Sequence, residues 1–186
     1  SYGQGYAADT LSFIGLSAGT SYAIGSTEAE LFAGLLLDGM QWMTVGSPAV
    51  WDWSVRGRDL GTSPRPVVFN TTQLRLLPSS RGAELAAFAA AIDGKGPPAV
   101  RGLRACWDSD YGMVHGMTES GQQWAASVHM HSNRTVSARC VNGEGAMNEH
   151  TGDGMVYLYG RAADYGLAFA SWDWRRLPGI TADIGA

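Results

Sequence analysis

Tyr111-Gly112-Met113-Val114-His115-Gly116-Met117, Trp124-Ala125-Ala126-Ser127-Val128-His129-Met130 and Met155-Val156-Tyr157-Leu158-Tyr159 are short runs rich in apolar, aromatic and β-branched residues. Each is bounded by Gly, Asn or Ser, which favour turns, and the pattern predicts strands of an antiparallel sheet. Residues 102–107, before these runs, and 135–141, between the second and the third, repeat it. Upstream, Gly94-Lys95-Gly96-Pro97-Pro98 is the strongest boundary in the chain, because paired prolines cannot continue a helix and the glycines loosen the backbone around them. The sequence before it reads as helical. The expected class is therefore α+β, with a helical segment at 1–96 followed by an antiparallel β region at 97–186.

Within the first part, residues 6–16 form a short helical candidate, and 80–92 is an alanine-rich helical run that Asp93-Gly94 terminates. Thr27-Glu28-Ala29-Glu30 has the form of a capping box, and Phe32, Leu35, Leu36 and Met43 follow at helical spacing, with Asp38 and Gln41 on the wet face. Gly46 and Pro48 predict an end to that helix near Val45. Trp51-Asp52-Trp53-Ser54-Val55-Arg56-Gly57-Arg58 then changes period to two. An extended reading puts Trp51, Trp53 and Val55 on one face, with Asp52, Arg56 and Arg58 on the other. Residues 62–66 form a proline-bearing loop.

The chain has 186 residues, 45% of them hydrophobic and 16% charged, which is ordinary globular composition. No apolar run approaches the roughly 20 residues of a membrane span. The net charge of −4 gives no support to nucleic-acid binding, and it requires any anion site to be local. Its basic residues are almost all arginine, whose planar fork suits bidentate carboxylate contacts. Cys106 and Cys140 lie on expected strands and can pair only if those strands are neighbours. The chain opens on Ser1 rather than Met, so the lack of a leader does not exclude secretion.

Three blocks carry a resemblance: Asn142-Gly143-Glu144, then Thr151-Gly152-Asp153-Gly154-Met155-Val156-Tyr157-Leu158-Tyr159, then Asp173-Trp174-Arg175-Arg176-Leu177-Pro178-Gly179-Ile180-Thr181. In this order and spacing they resemble the secreted lyases of polysaccharide lyase family 8, the hyaluronate, chondroitin AC and xanthan lyases. The resemblance implies the end of an α/α toroid followed by the start of a β-sandwich. It also implies β-elimination on an anionic, uronic-acid polysaccharide, with no cofactor and no metal. Ser1-Tyr2-Gly3-Gln4 resembles the segment that holds the family's catalytic tyrosine, here Tyr2. A phenol, with an ordinary pKa of about 10, needs nearby positive charge or donors to act as a base near neutrality. Residues 52–58 resemble the block carrying the active-site arginine, here Arg58.

Asn142 falls on the family's cleft asparagine, and Arg139, Arg56 and Glu144 complete the candidate substrate contacts. Thr62 stands where a second arginine is common, Arg139 where a glutamate is usual, and Glu149-His150 where the family has an aromatic pair. The family's catalytic histidine and its carboxylate-neutralising asparagine would precede Ser1. The chain is accordingly expected to need the remaining helical part of such an enzyme as its partner. His129 and His131 share a strand face, but no closely spaced third ligand supports a metal site. Two other readings stay open: a carbohydrate-binding sandwich module, and a structural fragment with an exposed apolar helix face.

Overall fold

The computed structural model describes residues 2–57, 59, 63–106, 110–134, 143–144 and 150–181. They fall into two compact units, one formed by 1–50 with 66–100 and the other by 51–65 with 101–186. The architecture is α+β.

In the first unit, α1 (Tyr2–Ser17) buries Ala7, Leu11, Ile14 and Ser17, the 3–4 residue spacing that one helix face requires. It begins four residues before the expected start at Tyr6. Helix α2 (Ser26–Gly34) starts from Gly25, and no side chain caps it. The expected capping box does not form, because the Glu30 carboxylate accepts hydrogen bonds from the Ser79 hydroxyl, at 2.8 Å, and the Ser80 amide. Those bonds hold its pKa below the ordinary carboxylate value. Beyond Gly34 the chain widens into a π turn (Leu35–Gly39) and tightens into a 3₁₀ turn (Met40–Met43). The changed pitch buries Leu36 and Leu37 and turns Leu35 outward, contrary to the expectation for Leu35.

Strands β1 (Thr44–Val45) and β2 (Val50–Trp51), each two residues long, pair in a two-stranded sheet. Helix α3 (Thr71–Leu76), absent from the sequence reading, is capped by Asn70, whose side-chain oxygen accepts from the Gln73 amide at 3.1 Å. It packs on α1 and on α4 (Gly82–Ile92). Helix α4 buries Leu85, Phe88, Ala89 and Ala91, with Phe88 edge-on to Phe69. It ends at Gly94, whose φ of +67° suits glycine, and Lys95 N–H donates back to the Ala90 carbonyl.

The second unit is built on a sheet of order β3-β4-β5-β6: β3 (Gly102–Cys106), β4 (Tyr111–Met117), β5 (Gln123–His129) and β6 (Met155–Tyr159). All pairs are antiparallel, as the runs predict. The expected strand at 135–141 lies outside the described residues. Tyr111, Met113, His115, Ala125, Ser127, Met155, Tyr157 and Tyr159 are buried on one face. On the other, Leu103, Val114, Ala126 and Leu158 stand in one cross-strand row. Its ends are open, with Leu103 74% and Leu158 64% exposed.

The diagnostic turn blocks meet at the edge of β6. Val156 N–H donates to the Pro178 carbonyl at 2.9 Å, while Gly154 (φ +94°) and Gly179 (φ +86°) approach so closely that a Cβ on Gly179 would lie 2.6 Å from the Gly154 oxygen. Both glycines are thus required by backbone geometry and contact.

Candidate functional site

The segment expected to be extended at 51–58 is instead a strand end followed by a 3₁₀ turn, Trp53–Val55. Asp52, assigned to a polar face with Arg56 and Arg58, is fully buried. A carboxylate is costly to bury unless its oxygens are satisfied. Here Oδ1 accepts from the Ser127 hydroxyl at 2.8 Å and from the Tyr159 hydroxyl, and Oδ2 accepts from the Ser54 hydroxyl. Tyr111 also bonds to it. The Tyr159 oxygen in turn accepts the Trp53 amide at 2.9 Å. Burial first, and then the Asp52 charge, raise the pKa of Tyr111, Tyr157 and Tyr159. Ser127 carries no motif that would single it out in the sequence, and Tyr159 ends the 151–159 block without a role assigned to it.

Trp53 is packed at 4.2 Å from the Phe169 ring, and its indole N–H donates to the Asp164 carbonyl at 3.3 Å. Over its face lies Arg56, the guanidinium carbon 3.7 Å from the ring centroid. Arg56 is buried; Nη1 donates to the Ser63 carbonyl at 3.1 Å and Nη2 to Asp59 at 3.3 Å. Its Nε has no hydrogen-bond partner among the described residues. Burial lowers the Arg56 pKa, and Asp59 opposes that shift. Burial also disfavours the charged Asp59 carboxylate, yet Arg56 and Arg65 outweigh it and hold the Asp59 pKa low.

Of the other expected site residues, Tyr2 opens α1 and is 80% exposed, in the helical unit. Glu144 is exposed, in the sheet unit. Arg58, Thr62, Arg139, Asn142 and Cys140 lie outside the described residues. His131 and His150 each place Nδ1 against Asp153, at 3.2 and 2.9 Å. Among the described residues no cluster of three His, Cys, Asp or Glu side chains could hold a metal, and no helix is long and apolar enough to cross a membrane.

Residues 101–186, which carry the sheet and its interlocked turns, match the family model described as the polysaccharide lyase family 8 super-sandwich domain. Over these residues the chain is similar to that family's domain. A solved chondroitinase AC lyase, determined as enzyme–oligosaccharide complexes, superposes with a TM-score of 0.73 at 21% identity, over 97% of this chain and 27% of that one. That likeness shows the fold. The chain spans about a quarter of the length of the structure it matches. No curated protein matches it by sequence. To this matched segment, residues 51–65 add Asp52 and Trp53 as buried side chains of the same compact unit.

Proposed function

We propose that the protein is part of a secreted carbon–oxygen lyase that cleaves a uronic-acid polysaccharide of the hyaluronan, chondroitin or xanthan type by β-elimination. The observation that carries this reading is the family 8 match over 101–186, on a sheet whose Thr151–Gly154 and Leu177–Gly179 turns lock together. In the proposed reaction the C5 proton leaves, the C4–oxygen bond breaks, a C4–C5 double bond forms and the departing oxygen takes a proton. Tyr2 is assigned to proton exchange. Arg58 is assigned to holding the phenolate or the uronate carboxylate, and Asn142, Arg139 and Glu144 to sugar contacts. Arg56, being buried on Trp53, is assigned a supporting charge rather than a direct sugar contact.

The test is ultraviolet absorbance of the double bond conjugated with the carboxylate. The chain is incubated with each polymer, alone and joined to the helical part proposed as its partner. Rising absorbance supports elimination; retardation of the polymer on a gel without absorbance would instead identify a binding module. Tyr2→Phe is expected to abolish turnover while leaving polymer affinity nearly intact, and full activity in that variant would remove Tyr2 from the mechanism.

A further inference from the structure

Asp52 opens the 52–58 block but is given no role by the resemblance, and it is a fully buried carboxylate. Its donors come from separate places: Ser54 on its own turn, Tyr111 on β4, Ser127 on β5 and Tyr159 on β6. Two carboxylate oxygens offer about four lone-pair sites, so these hydroxyls fill them. The same Tyr159 hydroxyl holds the Trp53 amide, and the Trp53 ring supports Arg56. A chain of contacts therefore runs from three strands through one carboxylate to the turn that carries Arg56 and Gly57, immediately before Arg58 in the sequence.

We propose that Asp52 is a positioning residue: by binding hydroxyls from three strands, it fixes the turn at 52–57 on the sheet and so sets where Arg56 stands. The part of this concerning turnover rests on the lyase reading; the part concerning the segment does not. Hydrophobic packing of Trp53 alone would leave the segment in place without the carboxylate, and that is the alternative to exclude.

The experiment compares Asp52→Asn and Ser127→Ala with the parent chain by hydrogen–deuterium exchange, followed in peptides from 51–65 and from 111–129. Ser127→Ala removes one donor and keeps the carboxylate, so it serves if Asp52→Asn does not fold. The expected result is faster exchange in 51–65 with the sheet peptides unchanged. In the assembled enzyme, kcat should fall on the order of tenfold to a hundredfold with little change in KM, as misplaced catalytic groups do. Unchanged exchange in 51–65, or a rise that the sheet peptides share, would overturn the proposal. So would faster exchange in 51–65 with full kcat. Absence of turnover in the parent enzyme would count against the lyase reading, and the exchange contrast would still decide whether Asp52 holds the segment.

Discussion

Asp59 lies between two guanidinium groups, Arg56 and Arg65, and its ionisation is coupled to folding. Its pKa is depressed in the folded chain, so the stability it contributes is present above the ordinary carboxylate value of about 3.9 and is lost as pH falls through the folded value. Acid titration followed by tryptophan fluorescence should show this loss below about pH 4. Asp59→Asn should flatten that part of the curve; an unchanged acid limb would show that the pair is not coupled to folding. At this scale little is legible in the sequence. A period-two reading places Asp52 beside the arginines, because nothing in the local residues reveals that a 3₁₀ turn folds the carboxylate under the strands. Tyr159 and Ser127 are distant in sequence, and only the register of β5 and β6 brings them together.

The strands are the most legible elements. Their alternation depends on one apolar face being buried, and β3, β4, β5 and β6 lie within a residue or so of the expected runs. The helical stretch from Ser26 to Met43 is less so, since a change from α to π to 3₁₀ pitch leaves no periodic mark. The expected box at Thr27–Glu30 fails for a tertiary reason, the competing donors at Ser79 and Ser80. The glycine turns make a sharper prediction. Gly179→Ala combines a left-handed backbone with a contact to the Gly154 carbonyl and should destabilise the sheet unit by about 1–3 kcal/mol. Chemical denaturation measures it, and a loss below about 0.5 kcal/mol would show that the turns can separate freely.

Across the whole molecule, apolar side chains remain open in both units. Tyr2, Tyr6, Phe13 and Leu16 are exposed along α1, and Leu103 and Leu158 on the sheet. An exposed apolar helix face is the mark expected of a structural fragment, and such surfaces favour association. Dilution followed by light scattering should reveal self-association of the chain. Leu103→Glu with Leu158→Lys should reduce it, whereas scattering unchanged by the pair would locate the contact elsewhere.

The chain visits the sheet unit twice, first as 51–65 and again from 101 onward. A laboratory scissor placed at the Gly94–Pro98 joint would therefore not release a self-sufficient half. The piece downstream would leave Ser127 and Tyr159 reaching for a carboxylate on the discarded strip and Phe169 beside an empty berth where an indole had been. Grafting residues 51–65 back onto that piece is the natural repair.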